Sequence, residues 1–172
     1  MIHFSTITFR PISPFITLAT TTKGLCYLQP SLTEEAGLTS LRHYITLSSS
    51  SLHILTKQPT KLLTQALHEV RSYLTRSLTT FTTPLDLSLS RATDFQLQVW
   101  KSLLLIPFGT TQTYSQVARI INSPKAYRAV GSANGKNPIC LIIPCHRVVA
   151  VVGMGGYSGG LEMKELLLQL EQ

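Results

Sequence analysis

Ile143-Pro144-Cys145-His146-Arg147-Val148-Val149 sets a thiol, an imidazole and a guanidinium side by side in an apolar run. A thiol attacks as thiolate, so a nucleophilic cysteine needs a base or a positive field close by. His146 and Arg147 are of the right types, and Pro144 fixes the backbone just ahead. In an extended chain adjacent side chains diverge, so His146 is expected to reach Cys145 through a bridging water. The ordinary fate of a cysteine is burial as a structural residue, and a Cys-His dipeptide by itself does not decide between the two. The other thiols are Cys26 and Cys140. An odd number with no C-x-x-C spacing argues against a disulfide framework and a zinc finger, and His3 with Cys26 does not make a metal site. No metal and no cofactor are expected. The N-terminus has Pro11 and Pro14 and no cationic segment leading into an apolar run. That predicts no signal peptide, no membrane span and a reducing intracellular compartment.

The 172 residues carry a net charge of +7, which favours an acidic partner such as nucleic acid. Charged residues are only 13% and hydrophobic ones 44%, so the chain can bury a core and is no disordered basic tail. From Phe95 to Leu161 there is no Asp or Glu, while Lys101, Arg119, Lys125, Arg128, Lys136 and Arg147 all fall there. Within this stretch Ala126, Ala129, Gly131, Ser132 and Ala133 give one helix unusually small sides. Such a face suits close helix packing, or a shallow approach to DNA with Arg128 as its one long probe. It has few side chains of the kind that read base edges in the major groove. Sequence-specific readout is therefore not expected, and the minor groove fits better.

Several elements must position these residues. Thr93, with Gln96 three residues on, opens a helix lined by Phe95, Val99, Leu103 and Ile106 and ended by Pro107-Phe108-Gly109. Thr113 caps a short helix carrying Val117, Ala118 and Ile121. Asn122-Ser123 turns the chain, and Pro124 is expected at the first position of the next helix, running to about Asn134. Two short helices so joined resemble a helix-turn-helix. A last helix follows Gly159-Gly160.

The first half is strand-rich. Ile2/Phe4 and Ile7/Phe9 alternate with a phase slip between them. Phe15–Ala19 and Leu25–Leu28, joined by Thr21–Gly24, read as a hairpin. Leu47 to Ser51 reads as a Ser-rich loop and Leu52 to Leu55 as a further strand. From Pro59, with Thr60 as N-cap, a helical face runs through Leu62, Leu63, Ala66, Leu67, Val70, Tyr73, Leu74 and Leu78. A linker is expected near residues 80–92.

The string RAVGSANGKNPICLIIPCHRVV, followed by GGYSGGLEMKELLLQLE, resembles the O6-alkylguanine-DNA alkyltransferases, the methylated-DNA–protein-cysteine methyltransferases, from about Thr93 to Glu171. The resemblance implies an α+β chain. Residues 1–90 would form a ribonuclease-H-like α/β domain. Residues 91–172 would form a mainly helical, winged helix-turn-helix-like DNA-binding and active-site domain. It implies Cys145 as alkyl acceptor, His146 as its base through a water, Glu171 as the carboxylate orienting the imidazole, and Asn137 as the residue ordering the turn before the active-site segment. Arg128 would fill the space of an extruded nucleotide, on a helix presenting Ala126, Tyr127, Ala129, Gly131 and Ser132 to DNA. Tyr114 would contact the flipped nucleotide, Tyr157 and Ser158 would cover the base, and the backbone at Cys145 and Val148 would accept from the guanine amino group. The implied partner is double-stranded DNA carrying O6-alkylguanine, met by a monomer in the minor groove, with O4-alkylthymine as a second lesion.

The chain departs from the family pattern at three positions: Tyr127 stands where many members have a second Ala, Asn134 where some carry an apolar residue that covers the base, and Cys140 where some have Pro. Three other classes compete: a non-catalytic lesion-binding relative, which would lack the cysteine; a helix-turn-helix regulator, which would need base-reading side chains; and a Cys-His hydrolase, which would leave the basic segment unused.

Overall fold

In the computed structural model, which describes residues 1–9, 12–48 and 55–172, the chain forms two units, Met1–Arg91 and Ala92–Gln172. The architecture is mixed α+β. Among the described residues no helix is long and apolar enough to cross a membrane.

The first unit is built on strands β1 (Ile2–Phe9), β2 (Ser13–Thr20), β3 (Leu25–Ser31) and β4 (Leu55–Thr56), with helices α1 (Glu34–Ser48) and α2 (Lys61–Leu74). The sheet order is β3-β2-β1-β4. β1, β2 and β3 pair antiparallel, and β4 runs parallel to β1 through Ile2–Leu55 and His3–Thr56. The phase slip in β1 is real: Ile2, Phe4 and Ile7 are buried, and the register with β2 shifts between Ile7 and Phe9. The predicted hairpin forms, closed by Thr21 N–H donating to the Gly24 carbonyl at 2.9 Å. A side chain at Gly24 would meet the Pro84 carbonyl at 2.6 Å, because the chain at 84–86 lies directly against it.

Three expectations are corrected here. Leu47 and Ser48 end helix α1 rather than opening a loop; residues 49–51 of that loop, and 52–54 of the following strand, lie outside the described residues. Helix α1 went unassigned in the sequence. Its signals are Thr33, whose hydroxyl accepts from Ala36 N–H at 3.1 Å, and Leu38, Leu41 and Ile45 at helical spacing against Ile2, Phe4 and Tyr27. Helix α2 has its Thr60 cap, accepting from Leu63 N–H, but stops at Leu74, so Leu78 is not on its face. The segment after it is irregular yet tied down. Glu69, buried on α2, accepts from the backbone and hydroxyls of Thr82 and Thr83. Burial opposes its charge, but these bonds and that from Gln65 outweigh it and hold its pKa at about 2.

The second unit contains helices α3 (Asp94–Leu103), α4 (Tyr114–Ile120), α5 (Tyr127–Gly135) and α6 (Leu161–Leu170), and the parallel pair β5 (Gln112–Thr113) and β6 (Val148–Val149). Thr93 and Thr113 both cap their helices through full capping boxes, with Gln96 and Gln116. Helix α5 begins at Tyr127, not at Pro124 as expected. The Ala126 N–H closes a tight turn onto the Ser123 carbonyl at 2.8 Å, and Pro124 sits inside that turn. Trp100, buried on α3, donates its indole N–H to the Ala133 carbonyl at 2.9 Å and fixes α5 against α3.

Candidate active site

The chain enters the site through a constrained backbone. Leu141 is buried at a φ of 69°, a conformation costly for a branched side chain and of the kind stored at functional sites, at about 1–3 kcal/mol. Pro144 then has φ −83° and ψ 64°, and Cys145 N–H donates to the Ile143 carbonyl at 2.8 Å. This is an inverse γ-turn, which proline's fixed φ favours. Cys145–Arg147 follow as one turn of 3-10 helix, so the extended geometry expected for Cys145 and His146 is replaced by a tight turn.

Asn137 holds this turn. Its Nδ2 donates to the Ile143 carbonyl at 2.8 Å and to Cys145 Sγ at 3.2 Å, and its Oδ1 accepts from Ile139 N–H at 3.0 Å. Cys145 is only 3% exposed. Its thiol is nonetheless held below the usual thiol range. The hydrogen-bonded Cys140 thiol contributes most, the bond from Asn137 and the charge of Lys164 add to it, and together they outweigh burial.

Behind the thiol lies a buried polar cluster. His146 Nε2 is 2.8 Å from Glu171 Oε1. Glu171 also takes Arg147 Nε and Nη2 at 2.9–3.2 Å and Gly109 N–H at 3.1 Å. Arg147 Nη1 ends on the Ile106 carbonyl at 2.6 Å. Burial pushes the His146 pKa down, helped by the charges of Arg147 and Lys164 and opposed by Glu171. The imidazole is therefore neutral at neutral pH. With Glu171 as acceptor, the network assigns the ring proton to Nε2 and leaves Nδ1 as the basic nitrogen.

Cys145 opens into a cavity of about 540 Å³, which Tyr114, Arg128, Asn134, Tyr157 and Ser158 also line. Tyr114 donates its hydroxyl to the Gly156 carbonyl at 3.2 Å, and burial raises its pKa, so it keeps its proton. Gly155, at φ +69°, lies where a side chain would strike the Tyr114 ring at 2.8 Å. Lys164, fully buried on α6, donates to the carbonyls of Val148, Met154 and Gly156 at 2.6, 2.6 and 3.3 Å. Its pKa is lowered to about 8 by burial, against the pull of Cys145. Val148 is buried with its carbonyl already bonded to Lys164.

Of the residues expected at the site, Cys145, Tyr114, Tyr127, Arg128, Gly131, Tyr157 and Ser158 meet at the cavity. Asn137, His146 and Glu171 stand behind Cys145. Ala129 and Ser132 are exposed on α5, and Ala126 lies in the turn before it. Tyr127 does not pack inward. It is 43% exposed, with the Arg128 guanidinium 5.6 Å from its ring centroid. Sequence reasoning missed two groups. The bidentate Arg147–Glu171 pair gave no signal beyond adjacency to His146. Lys164 did give one, as a lysine beside Met163 and Leu167 on the buried stripe of α6. Cys26 is inert: it donates to the Ala19 carbonyl in the core, and burial pushes its thiol up to about 12.

The family model described as the 6-O-methylguanine DNA methyltransferase DNA binding domain matches residues 94–172. A methylated-DNA–protein-cysteine methyltransferase of Mycobacterium tuberculosis is 49% identical over 108 residues, covering 62% of this chain and 64% of that protein, so the match spans a little under two thirds of its length. One from Methanosarcina barkeri is 47% identical over 114 residues, covering 65% of this chain and 70% of that protein. In structure, the crystal structure of the Mycobacterium tuberculosis O6-methylguanine methyltransferase superposes with a TM-score of 0.79 and 39% identity, covering 99% of this chain and 93% of that one. A structure of the Mycobacterium tuberculosis protein in complex with DNA aligns with a TM-score of 0.78 and 38% identity, covering 98% of this chain and 92% of that one. With this similarity running through both units, the chain belongs to the methylated-DNA–protein-cysteine methyltransferase family.

Proposed function

We propose that the protein repairs DNA by direct reversal, moving the alkyl group of O6-alkylguanine in duplex DNA onto Cys145, once and irreversibly. The observation that carries this is a thiol held below its usual pKa on the wall of a cavity large enough for a nucleobase, backed by a neutral imidazole on a buried carboxylate. The target carbon is inaccessible in a stacked duplex, so the nucleotide is extruded through the minor groove into the cavity. Arg128, at the exposed start of α5, fills the space left in the stack. Tyr127, Ala129 and Ser132 face the DNA around it, with Ala126 and Gly131 allowing close approach.

In the reaction His146 takes the Cys145 proton through a bridging water, and Glu171 holds the ring and offsets its charge. The sulfur forms a bond to the alkyl carbon as the carbon–O6 bond breaks, and the electron pair leaves with the purine. Tyr114, which keeps its proton, or Ser158 donates toward O6 and eases that departure. Tyr157 and Ser158 cover the base, while the Cys145 carbonyl accepts one hydrogen of its amino group; the Val148 carbonyl, expected to accept as well, is already taken by Lys164. The product thioether is a poor leaving group, so one protein removes one lesion, as a monomer and without a cofactor. We read the β3-β2-β1-β4 unit, residues 1–90, as ribonuclease-H-like and residues 91–172 as a winged helix-turn-helix-like domain that carries DNA binding and chemistry. Incubation with an excess of O6-methylguanine duplex followed by intact-mass and peptide mapping tests the reading. One added methyl group on Cys145 is expected. Repeated turnover, or methylation of Cys26 or Cys140 instead, would overturn it.

A further inference from the structure

Asn134 stands out on the wall of the cavity that holds Cys145. It lies near the end of α5, is 8% exposed, and neither Oδ1 nor Nδ2 has a hydrogen-bond partner among the described residues. Its backbone carbonyl is used, accepting from Asn137 N–H at 3.1 Å, so the residue is firmly placed while its side chain is not satisfied. Buried polar groups are nearly always paired, and a carboxamide with both poles unpaired is destabilising in the free protein. An apolar side chain of the same shape would serve the fold better there. The amide makes sense if its partner arrives with the substrate.

We propose that Asn134 is a specificity-determining residue, whose carboxamide hydrogen-bonds the edge of the base held beside Cys145 and favours O6-alkylguanine over O4-alkylthymine. This rests on the reading of the cavity as the site of an extruded alkylated base. The chemistry of the two lesions supplies the direction. A carboxamide offers donors and an acceptor together. O6-alkylguanine presents ring nitrogens that accept and an exocyclic amine that donates. O4-alkylthymine presents acceptors only, so it satisfies the donor side of Asn134 and leaves the buried oxygen unpaired. A site built to bond a polar group discriminates against a ligand that lacks it, because the orphaned partner stays buried.

The test compares the wild-type protein with Asn134→Leu, which keeps the shape and removes the polar atoms. Second-order rates of methyl transfer are measured on duplexes carrying O6-methylguanine or O4-methylthymine, with a thermal melt of each unreacted protein. The ratio of the two rates should fall by about tenfold in Asn134→Leu, the scale of one buried hydrogen bond. The unreacted variant should melt no lower than wild type. An unchanged ratio, equal loss on both lesions, or a lowered melting temperature would each overturn the inference by making Asn134 a scaffold residue. Failure of the wild-type protein to methylate Cys145 on either duplex would instead refute the underlying reading.

Discussion

At the residue scale the site divides by how far each group's role depends on its neighbours in sequence. Cys145 and His146 were legible as candidates because Pro144-Cys145-His146-Arg147 sets nucleophile and base in one run, whereas the role of Asn137, seven residues before that run, came only from the family resemblance. Glu171 was legible only through the family resemblance, since a carboxylate next to the chain end reads alone as a solvated charge. Its bonds to the adjacent His146 and Arg147 and to Gly109 come from two distant points of the chain. Glu171→Gln should therefore do two things. It leaves Arg147 buried without its counter-charge, which costs about 3 kcal/mol or more. It also loosens the imidazole and slows transfer on the order of 100-fold. A melt and a single-turnover assay on the same sample check both; a stable variant with wild-type rate would remove Glu171 from the mechanism.

The buried imidazole also sets a pH dependence. His146 is lowered from the ordinary imidazole value of about 6.5, chiefly by burial. A depressed pKa contributes stability that is fully present above the unfolded value and lost as pH falls through the folded one. Below about pH 6.5 the unfolded chain binds a proton that the native ring resists, so stability declines with acidification. Because the ring stays neutral in the fold, transfer to Cys145 should persist below pH 6.5 before it falls. Rates on the free alkylated base against pH, together with melts in the same buffers, test the two limbs. Loss of activity centred at or above pH 6.5 would contradict the assignment of His146 as a neutral base.

At the scale of elements, capping chemistry was the most readable feature. Thr60, Thr93 and Thr113 each start the helix expected of them, because a hydroxyl that accepts from the third N–H is a local interaction. Elements defined by tertiary contacts were harder. Helix α1 has an ordinary cap and a sparse apolar stripe, and it is its packing on Ile2, Phe4 and Tyr27 that makes it a helix. Helix α5 starts late because a turn at Ser123–Ala126 takes up Pro124. That turn puts Arg128 at the second position of the helix, exposed and beside Tyr127. Arg128→Ala should slow repair of a duplex on the order of 100-fold, since extrusion costs a few kcal/mol, and leave reaction with free O6-methylguanine base nearly unchanged. Equal losses on the two substrates would mean that Arg128 supports the cavity rather than the extruded state.

For the whole molecule the acid-free stretch from Phe95 to Leu161 takes on a different meaning once the cations are placed. Arg147 is buried and committed to Glu171, so it has no part in binding a polyanion. Lys101, Arg119, Lys125, Arg128 and Lys136 are all exposed. The sequence set Arg128 apart as a probe and Arg147 as a neighbour of the thiol, but it did not show that Arg147 is withdrawn from solvent; burial separates it from the five that meet solvent. Those five set a quantitative expectation for DNA binding. Each phosphate neutralised releases condensed counterions, and the log–log slope of affinity against salt is about −0.9 per contact. If all five reach phosphates and nothing else does, the slope is about −4.5. Lys125→Gln, in the turn before α5, should make the slope shallower by about 0.9 while leaving transfer to Cys145 from the free base unchanged. Titrations of two unrelated unmodified duplexes at several salt concentrations measure the slope and test sequence tolerance together. Affinity that ignores salt, or a strong preference for one of the two duplexes, would place recognition in base-edge contacts that the small-sided face of α5 does not supply.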